Sequence, residues 1–398
     1  MLTFWITSSR PRTTRGRRSA HALGALLLLA IAPIGAAWST PHTPGSDAQV
    51  LAELPVGARH ESAPARELTR SRLDVALPLA QFYVTRSRAT GDLRYLGYAE
   101  AMLQRWLRHS PVPPAVLVLE ATILQSRHAF GAALEQLDLA LQAQPDNAQA
   151  WLTRATVLRV QGRYAEAMAS CARLAAEADA AITTLCQQSL AGLTGNLRAA
   201  YAVLASLPPQ GLATEARAWR YSELGEMAER LGNDEAAEHW LREGLQLAPE
   251  DFYMRAACAD LLLRHGRAAE TLQLLAGYES MEPMLLRIVI AQGLLGDSHG
   301  AQARAMLSGV FNVEQQRGEA VHRREQARFL LDVEQQPAAA LVAAQENWRV
   351  QREPDDVLIL LRSAQAAHQP EAAAPALLFM QQQRLEDVRL EPYRRALR

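Results

Sequence analysis

The chain of 398 residues is rich in Ala and Leu, is 49% hydrophobic but only 6% aromatic, and carries a formal net charge of −1. This composition favours closely packed helices over a sheet-built core, and a repeat array can reach this length as one solenoid. All 41 basic residues are Arg, which excludes a P-loop lysine, a Schiff-base lysine and a Ser–Lys nucleophile pair.

The first 38 residues have the pattern of a secretory signal peptide. Five Arg and no acidic residue precede an apolar stretch at Ala22–Ile34, which is short for a membrane span. We therefore predict a signal peptide over residues 1–38 and a periplasmic or secreted protein. The alternative is an uncleaved leader that anchors the chain in the inner membrane, and only then do we expect membrane contact. Cleavage changes the net charge to about −6, which disfavours nucleic acid as a partner.

A linker and a first helix pair are predicted next. Residues 39–65 mix Pro, Gly, Ser and Asp without helical periodicity, which indicates a flexible linker. Helical repeats are predicted over residues 66–280. The first pair consists of Leu73–Arg88 and Leu93–His109, joined by a turn that contains Thr90-Gly91.

The stretch from Pro114 to Ala181 repeats itself with an offset of 34 residues. Small, apolar and aromatic residues fall in register: Ala121 with Ala155, Leu124 with Leu158, Phe130 with Tyr164, and Ala133 with Ala167. A fixed period of this size indicates stacked repeats of one supersecondary unit.

This pattern resembles the tetratricopeptide repeat (TPR), a pair of antiparallel helices with a sparse consensus. Small residues fit where two helix axes approach closely, and larger ones fill the grooves beside them. In the second unit the matching residues are Trp151, Ala155, Leu158, Ala167 and Cys171. The same phase returns later as Tyr221, Gly225, Ala228, Gly232, Ala237, Leu241, Gly244 and Pro249, and then as Ala259, Leu262, Gly266 and Leu275. The best repeats are 114–147, 148–181, 218–251 and 252–280.

Beyond residue 280 the consensus decays while the helix-turn-helix rhythm continues. We predict degenerate TPR-like hairpins over 281–398, with a polar cap at Arg384–Arg398. The expected fold is an all-α, right-handed superhelical solenoid of about nine antiparallel helix pairs.

Two of the three cysteines lie on successive predicted helices. Cys171 is on the second helix of one repeat and Cys186 is on the first helix of the next. Because successive helices of a solenoid are neighbours, their Cα atoms can come within disulfide reach, and an exported chain meets an oxidising compartment. We hypothesise a Cys171–Cys186 disulfide; the alternative is two packed thiols.

The TPR resemblance implies a concave groove that is lined by the first helix of each repeat and holds a peptide or a partner's helix. Groove positions are the residues of that helix that point away from its pair. Carried onto this chain, they are Thr122, Gln125, Thr156, Arg159, Trp219, Glu226, Glu229, Arg230, Tyr253, Asp260 and Arg264. Trp, Tyr and Arg are enriched at binding hot spots, so we predict a protein-binding groove here.

The sequence contains no recognised catalytic, metal-binding or cofactor-binding motif. Its ten His are scattered, and no HExxH, G-x-S-x-G or glycine-rich phosphate loop occurs. An enzyme would need a site assembled from dispersed groups such as Glu238, His239 and Asp260, with perturbed pKa values in a pocket.

We therefore expect a non-catalytic scaffold or adaptor of the bacterial cell envelope that binds a protein or peptide. We expect no cofactor, no small-molecule substrate and no nucleic acid. The alternatives are a permanently docked subunit of an envelope assembly or polysaccharide-export complex, and an enzyme without a recognisable motif.

Overall fold

The computed structural model of the protein describes residues 72–176, 178–297, 300–317 and 322–397. The predicted signal peptide (1–38) and linker (39–65) lie outside the described residues. Every regular element in the described ranges is a helix. None of these helices has both the length and the apolar character that crossing a bilayer requires.

Nineteen α-helices occur in the part of the chain that the structure describes. They are α1 (Leu73–Thr90), α2 (Arg94–Leu107), α3 (Pro114–Ser126), α4 (Phe130–Ala143), α5 (Ala148–Val160), α6 (Tyr164–Arg173), α7 (Ala180–Ala191), α8 (Leu197–Ser206), α9 (Thr214–Arg230), α10 (Asp234–Leu247), α11 (Phe252–Arg264), α12 (Ala268–Leu275), α13 (Glu282–Leu295), α14 (Gly300–Arg317), α15 (Arg323–Asp332), α16 (Pro337–Val350), α17 (Pro354–Ala366), α18 (Ala374–Gln383) and α19 (Glu391–Ala396). Short 3-10 helices occur at Leu174–Ala176, Pro370–Ala373 and Val388–Leu390.

Consecutive helices pack as hairpins, and the hairpins stack in chain order. Each odd-numbered helix from α1 to α15 contacts the next helix of its own hairpin. The odd-numbered helices also contact one another from α1 through α9 and from α11 through α17, and α10 packs against both α9 and α11 where the two runs meet. The predicted all-α, TPR-like solenoid is therefore confirmed.

The repeat phase corresponds to the hairpin cores. Ala121 and Ala133 are fully buried, as are Leu137 and Cys171. At Gly225 the two helices of a hairpin approach so closely that an added Cβ would lie 2.7 Å from Leu241 Cγ. The small residues of the pattern thus permit the close packing of α9 against α10.

The C-terminal part of the chain crosses the turns of the central hairpins. Phe379 packs on the turn at Gly162, and Val388 packs on the turn at Gly232. Gly162 has a φ of 72°, which favours glycine, and a Cβ there would lie 2.8 Å from Phe379 Cε2. Both the backbone conformation and the contact with Phe379 therefore require glycine in this turn.

Polar contacts hold these crossings in place. The Arg352 N–H donates to Val160 O at 2.8 Å, and the Leu197 N–H donates to a carboxylate oxygen of Glu386 at 2.7 Å. The segment that was predicted as a polar cap thus contacts the central hairpins. Within it, Leu390 is fully buried.

Candidate functional site

A small pocket, partly open to solvent, lies where α5, α7, α9 and α11 come together. The centre of a water molecule can occupy a volume of about 30 Å³ inside the pocket, so the pocket has room for a few waters. Its lining residues are Leu152, Ala155, Thr156, Arg159, Cys171, Cys186, Ser189, Leu190, Trp219, Ser222, Glu223, Glu226, Tyr253 and Glu353.

Helical spacing explains how α5 and α9 supply most of this lining. Leu152, Ala155, Thr156 and Arg159 follow an i, i+3, i+4, i+7 spacing, which places them on one face of α5. The lining residues of α9, from Trp219 to Glu226, repeat the same spacing. Each helix therefore presents one stripe of side chains to the pocket.

Arg159 and Glu223 form the central ion pair. Arg159 Nη1 lies 2.5 Å from Glu223 Oε1, which also accepts a hydrogen bond from Trp219 Nε1–H at 3.0 Å. Arg159 Nη2 lies 3.5 Å from Glu226 Oε2. Glu223 is only 2% exposed, and its second oxygen, Oε2, is buried without a hydrogen-bond partner among the described residues.

Further acidic and aromatic groups border this ion pair. Glu353, which directly precedes α17, lines the pocket, and one of its oxygens lies 3.8 Å from Arg324 Nη1. Burial, together with the Glu223 charge, raises the pKa of Glu226 to about 7 against the opposing effect of Arg159. Burial also raises the pKa of Tyr253 well above its ordinary value. The pocket is thus acidic and partly apolar.

Glu226→Gln is expected to change how stability depends on pH. Because the folded-state pKa of Glu226 is about 7 and its ordinary value is 4.5, its contribution to stability is present in acid and is lost as the pH rises through 7. Relative to the wild type, the variant should gain about 2 kcal/mol between pH 5 and pH 8, measured by urea unfolding. Glu235→Gln, at an exposed position of α10, is the control and should show no such gain. Parallel pH profiles for Glu226→Gln and the wild type would contradict the prediction.

The structure contains the Cys171–Cys186 disulfide in the wall of the pocket. The two Cα atoms lie 5.7 Å apart, within the usual range for a bridge. The disulfide joins α6 to α7 across the inter-repeat connection, and both cysteines belong to the pocket lining. Cys258 is a buried free thiol.

The structure places the eleven residues predicted for the groove in two settings. One set lines the pocket: Thr156, Arg159, Trp219, Glu226 and Tyr253. The other set is outside its lining: Thr122, Gln125, Glu229, Arg230, Asp260 and Arg264. Whether any of the eleven residues binds a protein stays a prediction.

The chain's own groups engage much of the second set. Thr122 is fully buried and donates to Val118 O, and Arg230 donates to Gly192 O at 2.7 Å. Glu229 pairs with Arg264 and with Arg389, which lies in the 3-10 helix Val388–Leu390.

Asp260 pairs with guanidinium groups from two later helices. Its carboxylate lies 2.5 Å from Arg287 on α13 and 2.7 Å from Arg328 on α15. Burial favours the neutral acid, but the two cations outweigh it and hold the pKa of Asp260 below its ordinary value. Asp260 therefore links three hairpins.

Two acidic residues of the pocket were not identified from the sequence. Glu223 lies four residues after Trp219, so the same helical face was the available signal. Glu353 reaches the pocket through the return of the C-terminal part of the chain, for which no local sequence signal exists.

The dispersed groups considered for catalysis have separate partners. Glu238 pairs with Arg242 and Arg267, while the exposed ring of His239 packs beside Trp240. Neither Glu238, His239 nor Asp260 belongs to the pocket lining.

A second cluster of titratable groups joins α13 and α14 to the start of α15. His322 Nδ1 lies 2.9 Å from Glu282 and 2.7 Å from Glu314, and the three groups offer one nitrogen and two oxygen ligands. Burial would lower the pKa of His322, but the two carboxylates outweigh it and raise the pKa well above its ordinary value. We interpret this cluster as an imidazolium held between two carboxylates.

No protein-family model and no curated protein matches the chain. Among solved structures, the pilF protein of Pseudomonas aeruginosa is 16% identical, with a TM-score of 0.31, and the match covers 64% of this chain and 99% of that one. A tetratricopeptide repeat protein from Parabacteroides merdae is 15% identical, with a TM-score of 0.31, and the match covers 71% and 97%. Yeast Tom70 is 10% identical, with a TM-score of 0.26, and the match covers 81% and 96%. With its stacked hairpins and a 34-residue period of buried small residues, the chain is a helical-repeat protein of the TPR type in its fold.

Proposed function

We propose that the protein is a non-catalytic scaffold of the bacterial cell envelope that binds a partner polypeptide at the pocket between α5, α7, α9 and α11. One observation carries the proposal: five residues assigned to the groove by the repeat phase line this single pocket. They include Arg159, Trp219 and Tyr253, which are residue types enriched at binding hot spots.

The position of the C-terminal part of the chain explains why the proposal centres on the pocket. Some of the side chains predicted for the groove are already paired within the chain, as Glu229 is with Arg389. The pocket is partly open, and its lining combines charged groups with Trp and Tyr. A partner can therefore insert a side chain here without displacing Arg389 from Glu229.

Site-specific photo-cross-linking in cells tests the partner proposal. Replacement of Tyr253, in the pocket lining, by p-azidophenylalanine, which is close to tyrosine in size, is expected to capture the same polypeptide reproducibly. The matched control carries the photoreactive residue at Leu139, an exposed position of α4. Capture of that polypeptide from both positions alike, or from neither, would overturn the proposal.

The envelope location rests on the signal-peptide pattern and is supported by the disulfide, because disulfides persist in oxidising compartments. Cell fractionation with N-terminal sequencing tests it. A periplasmic chain that begins near Trp38 is the expected result. A full-length chain in the inner membrane would make the leader an anchor, and a cytoplasmic chain would remove the envelope role.

Acid–base catalysis is the competing reading of the pocket. Glu226, with its pKa near 7, is the kind of perturbed group that an enzyme could use. However, Glu223 is engaged by Arg159 and Trp219, and the space holds only a few waters. These observations support recognition of a small group over turnover of a substrate.

A permanently docked envelope subunit is the second candidate, and an aromatic surface on the first hairpin favours it. The rings of Phe82, Tyr83, Tyr95 and Tyr98 pack against one another, and Phe82 and Tyr98 are about half exposed. Exposed aromatic clusters mark interaction sites. If the protein is a docked subunit, it should stay with the membranes after salt washing. This association should be lost in the double variant Phe82→Ala/Tyr98→Ala. Release of the wild type by salt would exclude this candidate.

A further inference from the structure

We infer that the pocket between α5, α7, α9 and α11 recognises a primary ammonium group, such as the tip of a lysine side chain. This inference rests on the proposed function because it names the chemistry by which a partner would engage the same pocket. Its three carboxyl-bearing residues are Glu223, Glu226 and Glu353, and the cation in its lining is Arg159.

The acceptors match the donors of an ammonium. A primary ammonium carries three N–H donors and no acceptor. Glu223 Oε2 is buried and has no hydrogen-bond partner among the described residues, while Arg159 and Trp219 both engage Oε1 of the same carboxylate. A buried carboxylate oxygen without a partner carries a desolvation cost, which an ammonium N–H would relieve.

The charge balance also favours a cation. Arg159 directly neutralises Glu223, with Glu226 at the longer distance of 3.5 Å. Glu353 is 3.8 Å from Arg324, which also lies 3.5 Å from Asp356. Within the pocket lining, three carboxyl-bearing side chains therefore face one guanidinium, and a bound ammonium would offset the acidic excess.

Size and wall chemistry narrow the choice to an ammonium. The room for a few waters suits a compact ammonium tip better than a planar guanidinium with five donors. Trp219, Tyr253 and Leu190 supply aromatic and apolar walls beside the carboxylates. Such walls can contact the methylene stem that follows a lysine ammonium.

The chain itself contains no lysine, so a lysine-type ligand comes from another molecule. Two sources share this chemistry: a lysine of a partner polypeptide and a free small amine. The absence of lysine also simplifies the test. A carbodiimide couples an amine to a carboxylate by taking up the elements of water. In this reaction the chain's own amine that competes with the probe is its N-terminus.

The experiment uses the full chain and three probes: the N-acetylated, C-amidated peptide Gly-Gly-Lys-Gly-Gly, its equally blocked norleucine counterpart, which carries no ammonium, and n-butylamine. Calorimetry should show at least tenfold tighter binding of the lysine peptide than of the norleucine peptide. Carbodiimide coupling of the lysine peptide, followed by peptide mass mapping, should label Glu223, Glu226 or Glu353 in preference to exposed Glu235. Equal affinity for the lysine and norleucine peptides, or labelling that follows exposure alone, would overturn the inference.

Pocket variants check that the signal comes from this site. Glu223→Gln should weaken lysine-peptide binding about tenfold, whereas Glu235→Gln should leave it unchanged. Since loss of a buried charge can disturb folding, Thr156→Leu is the second variant: it keeps every charge and fills space in the pocket lining. Unchanged binding in folded Thr156→Leu protein would place the ligand elsewhere and refute the inference.

The probes and the cross-linking in cells separate the two proposals. Binding of n-butylamine but not of the lysine peptide supports an ammonium site for a free amine and removes support for the scaffold role. Capture of a polypeptide through the photoreactive residue at Tyr253, combined with no preference for lysine over norleucine, overturns the ammonium inference and leaves the scaffold role standing.

Discussion

Asp260→Ala is expected to destabilise the protein by about 3 kcal/mol, because removing the shared carboxylate of a largely buried ion-pair cluster deprives Arg287 of its carboxylate partner and leaves Arg328 with the more distant Asp332. Asp260 is the shared partner of Arg287 and Arg328, whose side chains are only 8% and 20% exposed. Its loss leaves two guanidinium groups close together between α11, α13 and α15. The measurement is chemical unfolding of the variant and the wild type at pH 7.

Asp74→Ala is the matched control for this substitution. Asp74 pairs with Arg72, and both side chains are about two-thirds exposed, so its loss should cost far less than the loss of Asp260. The effect of Asp260→Ala should also diminish in acid. Because the pKa of Asp260 is held below its ordinary value, its contribution is present at neutral pH and is lost as the pH falls through the folded-state pKa. Equal costs for the two variants at pH 7 would contradict the proposed role of Asp260.

Loss of the Cys171–Cys186 disulfide is expected to cost about 3 kcal/mol, since the bridge closes a loop with a sequence separation of 15. In the chain-entropy account, the bridge stabilises mainly by restricting the unfolded chain. The test compares unfolding of the oxidised wild type with that of Cys171→Ala/Cys186→Ala. Because both cysteines line the pocket, the double variant should also weaken lysine-peptide binding.

Chemical controls isolate the effect of the bridge. Reductant should destabilise the wild type and leave Cys171→Ala/Cys186→Ala unchanged, whereas Cys258→Ala should keep the response to reductant. Alkylation of the denatured, unreduced protein should modify one cysteine of three. Modification of all three would show that the bridge is absent from the protein as purified.

Most of the fold could be predicted from the 34-residue period of the sequence. Small residues such as Ala121 and Ala133 are buried in the hairpin cores, where helix axes approach closely, so local spacing reports packing directly. Turn glycines such as Gly162 and Gly232 have positive φ values, which local sequence also indicates. The described helices within residues 281–397 continue the hairpin rhythm although the consensus has decayed there.

The candidate site was only partly accessible to the same reasoning. Arg159, Trp219 and Tyr253 were predicted to share a surface because repeat phase determines which face of a helix points away from its pair. Glu223 was available from helical spacing but was not singled out. Which residues of this surface stay open to a partner depends on which other parts of the chain pack against it, and the repeat phase carries no information about that packing.

The sequence by itself therefore determined the helical hairpins, their order and the face of each helix that meets its neighbours, because these depend on contacts between residues close in the chain. Only the tertiary structure decided that the C-terminal part of the chain returns to the central hairpins. That return brings Glu353 to the pocket beside Arg159 and pairs Arg389 with Glu229. Such contacts join residues far apart in sequence, and their formation depends on the accumulated rotation between stacked hairpins, which no single repeat encodes.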